Sequence, residues 1–388
     1  MSAPRILLLG SGELGREVVL SFQRLGAVVI AADSHPDASA RAFADDSAVL
    51  DLTDADAVHA AIERFAPDIL VPATESVAPE ALAAAEAAGL SVVPSARRTR
   101  LMLDREALRR LAADELGLPT APFWFAGGID ELGAIAAHAG YPLVVKPLSA
   151  LPGEGQSVLL RADDIEAAWH RAAPAGGGTP GRVLVESVVE VDDEVTLLAV
   201  RTGESVAPGF CEPIGHRHVA GVLEAWQPAP MTPVALDSAR SIAARVVTAL
   251  GGRGLFGVEL LVRGDEVYFA DVTVLPHDSA LVTLRTQRLS ALDLHARAVL
   301  RLPVDTIMIS PGAVEVSYLP GARDNLSGAL SVPETDVMLF PAPLGPVGTG
   351  RSRFEVVSAT APTVAGARER ARQAAQALRG NPLTGSTT

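Results

Sequence analysis

The stretch Arg5–Asp33, RILLLGSGELGREVVLSFQRLGAVVIAAD, carries the first decision about the fold. An unbroken apolar run, Ile6 to Leu9, ends at Gly10, as a strand buried on both faces does. Gly10-Ser11-Gly12-Glu13-Leu14-Gly15 follows, and residues 13–25 read as a helix. A second apolar run begins at Ala27 and ends in Asp33. Strand, glycine-rich turn, helix and strand form a βαβ unit, and the G-x-G-x-x-G with its later acid has the spacing of a dinucleotide fingerprint. The free N–H groups of a helix start suit any anion, so the turn admits NAD, another anionic ligand, or none.

The alternation continues. Residues 54–65 read as an amphipathic helix, 68–73 as a strand, 78–89 as a helix and 91–94 as a short strand. The first hundred residues are therefore expected to be a doubly wound, Rossmann-like α/β unit. The texture then changes. A helix over 104–117 stops at glycine before Pro119, and a second is expected near 129–139. YPLVVKPLSALPGEGQSVLL (141–160) reads as a strand, a Gly/Pro loop and a strand, and residues 182–201 hold two more. A helix is expected over 234–250, a hairpin turning at Gly264-Asp265, short strands over 313–357 and a last helix over 363–379. The tail GNPLTGSTT is expected to be disordered.

Bulk properties narrow the function. The net charge of -14 argues against a general nucleic-acid binder and against docking on an anionic membrane. One cysteine, Cys211, excludes an intrachain disulfide and a cysteine metal site, and it reads as a small buried residue. No apolar run reaches the length of a bilayer span and no leader follows Met1, so a cytoplasmic location is expected.

Chemistry concentrates in the middle of the chain. Lys146 lies in the apolar run LVVKP, and a buried lysine needs an anion. The loop Ser149–Gln156 could fold over phosphates, although it has no Walker pattern. Glu186 ends the strand RVLVE and Glu194 follows. Glu259 and Asp271 lie on the two arms of the expected hairpin, side by side, an arrangement suited to Mg²⁺ bridging nucleotide phosphates. His216, Arg217 and His277 are expected in the cleft, the histidines hydrogen-bonded, and Trp226 in packing.

Taken together, LLLGSGELGREV (7–18), VVPSARRTRLMLDREALRRLAADELGLPT (92–120), GYPLVVKP (140–147), RVLVESVV (182–189), EVTLLAV (194–200), GHR (215–217), WQPAPMTP (226–233), ALGGRGLFGVELLVRGDEVYFADV (249–272) and PHDSALVTL (276–284) resemble the ATP-grasp superfamily. Within it they look most like the formate-dependent glycinamide ribonucleotide transformylases. The resemblance covers nearly the whole chain. It implies an N-terminal substrate domain (1–104), an ATP-grasp domain (105–310), a small β-rich C-terminal domain (311–388) and a homodimer. It also implies ATP and Mg²⁺, and an acyl phosphate that an amine attacks.

Site roles follow by position in that family. Arg105 and Lys146 would meet ATP phosphates, with Leu151, Pro152, Gly153, Glu154, Gly155 and Gln156 closing over them. Glu186, Ser187, Val188 and Val189 would hold adenine, Glu194 the ribose, and Glu259 and Asp271 the Mg²⁺. Lys146 and Asp278 are the catalytic candidates. Gly12, Glu13, Leu14, Glu75, Asp278, Arg351 and Arg353 would face the amine substrate, so the glycine turn belongs to the amine rather than to NAD.

The chain departs from that pattern in places. The family's S-G-K-G-Q loop reads Pro152-Gly153-Glu154-Gly155-Gln156, which replaces a lysine near phosphate by an acid. Asp271 stands for a metal glutamate, Leu275 for an arginine, and Ala73 for the glutamate of V-P-E, with Glu75 two residues on. Ala342 replaces a phosphate-gripping lysine, and the arginine pair reads Ser352-Arg353 after Arg351. A phosphate dianion needs paired charge-assisted donors. The expected function is therefore an ATP-dependent carboxylate–amine ligase whose amine is not glycinamide ribonucleotide. The alternatives are the purine-pathway transformylase itself and a nucleotide-binding protein that no longer ligates.

Overall fold

The computed structural model of the chain describes residues 3–74, 76–148, 155–173, 181–274, 277–318, 324–340 and 355–380. Glu75, Leu151–Glu154, Leu275, Ala342, Arg351–Arg353 and the tail from Asn381, all named above, lie outside the described residues.

Five parallel strands form the first sheet: β1 (Arg5–Leu9), β2 (Val28–Asp33), β3 (Asp46–Val49), β4 (Ile69–Pro72) and β5 (Ser91–Val92), in the order β3-β2-β1-β4-β5. The apolar run of β1 is explained by cover on both faces. Leu7 and Leu9 pack with residues of the helices Ala55–Phe65 and Pro79–Ala87, while Ile6 and Leu8 meet Val18, Val19 and Phe22. That second face is completed by Leu292, Ala296 and Val299 from a helix far along the chain, Ala291–Val299, which sequence reading did not find. Gly10 has a φ of +97°, and a Cβ there would come within 2.6 Å of the Thr74 side chain, so the turn requires glycine.

The second sheet is antiparallel. It comprises β6 (Phe123–Ala126), β7 (Leu143–Pro147), β8 (Ser157–Leu159) and β9 (Val183–Ser187), in the order β6-β9-β7-β8. Leu132, Ala136, Ala168 and Ala172 of two helices cover one face. Lys146 and Glu186 ride on this sheet.

The third sheet is the largest and is also antiparallel. Its strands are β10 (Asp193–Arg201), β11 (Gly209–Phe210), β12 (Ile214–Val219), β13 (Val222–Gln227), β14 (Gly254–Arg263), β15 (Glu266–Thr273), β16 (Gly312–Ser317), β17 (Thr335–Leu339) and β18 (Glu355–Thr360). The order is β15-β14-β10-β12-β13-β16-β18-β17, with β11 beside β10. The strands of the C-terminal region thus extend the sheet that carries Glu194, Glu259 and Asp271. One face packs on the helix Pro233–Leu250, and the other packs on the segment Asp278–Val282 and on Ala291–Val299.

Two local features shape the third sheet. Gly215 on β12 faces Trp226 on β13, and a Cβ there would lie 2.4 Å from the indole, so the ring lies flat only against glycine. Trp226 is buried in packing as expected, with the Arg368 guanidinium 4.0 Å over its ring. On β15, Phe269 pairs with Leu260 and Asp271 pairs with Glu259, which leaves Ala270 as the extra residue of a β-bulge. No helix among the described residues is long and apolar enough to cross a membrane.

Candidate active site

The third sheet presents a row of acids on one face. Glu259 is opposite Asp271 on one side and Thr196 on the other; two residues along β10, Glu194 is opposite His216. The bulge builds this row. Phe269 and Asp271 are two residues apart, so a regular strand would send both to one face. The inserted Ala270 lets Phe269 enter the core with Leu260 while Asp271 joins Glu259. Removal from water raises the Glu259 pKa above the carboxylate range; His277 opposes this and Asp271 adds to it. Burial likewise raises Glu194, against the pull of Lys146.

The second sheet brings a compact charge cluster. Lys146 Nζ lies 2.6 Å from Glu186 Oε2, and the Glu186 carboxylate also accepts from Arg109. Arg109 donates in addition to the carbonyls of Phe269 at 3.3 Å and Ala270 at 3.0 Å, the second being the bulge residue. Burial pulls the Glu186 carboxyl upward, but Lys146 and Arg109 outweigh it and hold its pKa below the ordinary range. Arg105 opens the helix Arg105–Arg110 and donates to the Pro147 carbonyl at 2.7 Å, one residue from Lys146. Arg105, Leu108, Arg109, Lys146, Leu184, Phe269, Ala270 and Asp271 line one pocket between the sheets. The structure therefore gathers Arg105, Lys146 and Asp271, all three named in the sequence analysis, and adds Arg109. Arg109 lies one helical turn beyond Arg105, but its partner Glu186 is 77 residues away in the chain.

The histidines separate into different environments. His277 Nε2 lies 3.5 Å from Glu259 Oε1, and its Nδ1 lies 3.0 Å from Ser279 Oγ, which donates in turn to Thr196 at 3.1 Å. His216, expected to be hydrogen-bonded, is 6% exposed, and among the described residues neither ring nitrogen has a hydrogen-bond partner. Its nearest carboxylate oxygen, on Glu194, is 3.8 Å away, beyond hydrogen-bond reach. Burial, with His277 and His218 adding to it, pushes its pKa down to about 3, so the ring is neutral. Arg217 does not join the cleft. Strand alternation sends it to the opposite face, where Nε is 2.8 Å from Glu224. Buried Asp278 accepts from the Tyr318 hydroxyl at the end of β16.

Gly12 caps the helix Glu13–Gln23, and Leu14 packs against the cluster containing Ala280, Leu281 and Val282, which follow Asp278. The glycine turn and Asp278 thus belong to neighbouring structure. Asp33, the acid of the fingerprint, is bonded to the turn itself, accepting from the Ser11 backbone N–H at 2.6 Å and the His35 N–H at 2.9 Å. Its carboxylate is engaged by protein, and the opening NAD reading loses its ribose acceptor. Ser187 ends β9, and the N–H of exposed Val188 donates to the Pro142 carbonyl at 3.2 Å, with Val189 next in the chain. Gly155, with a φ of +65°, and Gln156 lead into β8.

Residues 4–102 match the family model described as Ribonucleotide synthetase preATP-grasp domain, and residues 111–292 match the ATP-grasp domain. Fold and site together define an ATP-grasp enzyme, an ATP-dependent ligase by class. The chain is 49% identical over 390 residues to the formate-dependent phosphoribosylglycinamide formyltransferase of Paraburkholderia xenovorans, covering 97% of this chain and 96% of that protein. It is 48% identical to the protein of the same name from Burkholderia mallei, with the same coverage. The chain belongs to the formate-dependent phosphoribosylglycinamide formyltransferase family. A solved structure described as glycinamide-RNase-transformylase T from Mycobacterium tuberculosis has a TM-score of 0.83 and 51% identity, covering 96% of this chain and 99% of that one. The N5-carboxyaminoimidazole ribonucleotide synthetase of Thermus thermophilus has a TM-score of 0.83 at 25% identity, with 96% and 98% covered.

Proposed function

We propose that the chain formylates the amine of phosphoribosylglycinamide, using formate and ATP through a formyl phosphate. The observation that carries this reading is identity near one half, sustained over almost the entire chain, with relatives that bear that name. The altered amine acceptor expected above is thereby displaced to second place.

In this reading Lys146 and Arg105 meet the phosphates of ATP, and Glu186 keeps the Lys146 ammonium in place as a preorganised positive charge for phosphoryl transfer. Glu186–Val189 hold adenine and Glu194 the ribose. Gly155 and Gln156 end the loop that covers the phosphates. Glu259 and Asp271 suit a divalent cation, because two carboxylates set directly opposite each other repel until a cation lies between them. Among the described residues no cluster of three or more His, Cys, Asp or Glu could hold a metal by itself. Two carboxylates completed by nucleotide oxygens is the usual magnesium arrangement. Magnesium, when bound, would neutralise charge on the phosphates. Asp278, fixed by Tyr318, receives the amine near Gly12, Glu13 and Leu14.

The test is purified chain with Mg-ATP, formate and phosphoribosylglycinamide. The expected result is ADP, phosphate and formylated product in equal amounts, each requiring all three substrates. ADP formed with formate but without product, together with a hydroxamate when hydroxylamine is added, would move the assignment to the second reading. That reading is the same chemistry on another amine, and it is favoured by Ala73 and Ala342 standing where the resemblance has a glutamate and a phosphate-binding lysine.

A further inference from the structure

We propose that a cavity on the face of the third sheet opposite the row of acids binds a free α-amino acid, its ammonium group on the Glu315 carboxylate inside and its own carboxylate on the arginines of the rim. The site is separate from the nucleotide cleft and does not depend on the function proposed above. The cavity holds about 280 Å³ between β12, β13, β16 and the last helix, Val364–Leu378. A single water needs roughly 15 Å³, so the space suits a small organic molecule. Ala313, Ala365 and Ala371 line it with small side chains that leave the room open. Arg217 and Glu224 are opposite each other on β12 and β13, one residue from the pair His216 and Ala225, so cavity and cleft lie back to back across the sheet.

The charges on its walls do not cancel in place. Glu315 is 8% exposed and lines the cavity, yet among the described residues its nearest cation, Arg379 Nη2, is 3.9 Å from Oε2, beyond hydrogen-bond reach. The Arg379 guanidinium is committed to Glu355 instead, with Nε at 2.6 Å. A buried anion without a donor is costly, and a ligand that donates to it removes the cost. Burial raises the Glu315 pKa against the pull of Arg379, and Glu224, directly opposite on β13, adds to the rise.

The rim has the reverse imbalance. Arg217 and Arg368 share one acid, Glu224, at 2.7 Å and 3.4 Å, and Arg372 pairs with Glu369 at 2.6 Å. Three rim cations thus face two rim acids. A simple ammonium ion would cross net positive charge on the way in, and a simple carboxylate would meet Glu315 at the bottom. One molecule carrying both groups, ammonium inward and carboxylate outward, satisfies both ends. A metal ion is the poorer occupant, because among the described residues no group of three or more His, Cys, Asp or Glu could hold one.

The experiment is calorimetric titration of the full chain, without nucleotide, with glycine, L-alanine, L-glutamine and L-arginine. Ethylamine and propionate, which carry only one of the two groups, are titrated beside them. At least one amino acid is expected to bind with a Kd of about 1 mM or below, and each single-group probe at least about tenfold more weakly. Glu315→Gln keeps the shape and removes the charge, and should weaken binding about tenfold or more. Ala365→Trp places a large ring at an exposed lining position and should abolish it. Melting temperatures within about 3 °C of wild type, or higher, show that both variants fold.

Wild-type affinity in E315Q, binding that A365W leaves intact, equal affinity for a single-group probe, or no amino acid bound would each overturn the proposal. Loss of self-association in E315Q, by sedimentation, with no amino acid bound by wild type, would overturn it in favour of a contact between copies of the chain. The titrations contain neither ATP nor formate, so none of these outcomes touches the transformylase reading.

Discussion

Lys146 Nζ lies 2.6 Å from Glu186 Oε2, and both side chains belong to neighbouring strands of the four-stranded sheet. Arg109 reaches the same carboxylate from a helix that also bonds the bulge of β15. Glu186 therefore binds two cations and, through Arg109, ties two sheets together. Glu186→Ala leaves Lys146 and Arg109 without their counter-charge and is expected to lower stability by about 3 kcal/mol. Denaturant unfolding checks this. A loss under about 0.5 kcal/mol would show the cluster to be dispensable for the fold.

Asp271→Asn should separate stability from function. The variant removes the like charge of Asp271, which adds to burial in raising the Glu259 pKa. Without magnesium its melting temperature is expected to equal or exceed wild type, whereas the Mg²⁺ concentration for half-maximal activity should rise tenfold or more. A variant with wild-type magnesium dependence would remove Asp271 from the metal assignment.

Tyr318→Phe deletes the hydroxyl that Asp278 accepts from and leaves the ring in place. If Asp278 receives the amine, the KM for the amine should rise about tenfold, with the KM for ATP within a factor of two. Equal increases for both substrates would instead mark Tyr318 as part of general packing between β16 and the segment Asp278–Val282.

His295 gives a pH prediction. Burial, helped by Arg98, pushes its pKa down to about 4, below the 6.5 of a free imidazole. The unfolded chain then binds more protons than the folded one between those values. The contribution to stability is full above pH 6.5 and is lost as pH falls toward 4. His295→Gln should flatten the pH dependence of stability across that window by up to about 1.4 kcal/mol per pH unit. Urea midpoints at pH 7 and pH 5 for both proteins decide it. An unchanged difference between the two pH values would mean another group sets the slope.

Much of the site is written in linear order. Lys146, Glu186, Glu194, Glu259 and Asp271 stand at strand positions whose apolar neighbours reveal them, and the Arg5–Asp33 unit follows from its unbroken apolar runs. The remainder depends on relations that spacing does not contain. The bulge at Ala270 breaks the two-residue period, so no alternation rule separates Phe269 from Asp271. Arg109 looks like a solvated helix residue until Glu186 arrives from 77 positions away. The helix Ala291–Val299 covers a sheet formed some two hundred residues earlier, and its own pattern names no partner. His216 was recognisable as a cleft residue, but its lack of a partner is a property of the folded cavity.

The flat contact between Gly215 and Trp226 has an optical consequence. Trp226 is one residue beyond Ala225, the cross-strand partner of His216, and its indole rests on the backbone that leads into His216. The chain holds two other tryptophans, Trp124 and Trp169, both in or beside the four-stranded sheet. Replacing those two by phenylalanine would leave a single emitter on the strand pair that carries the cleft histidine. Its fluorescence would then report ligand arrival at that strand in real time, with no label attached to the protein.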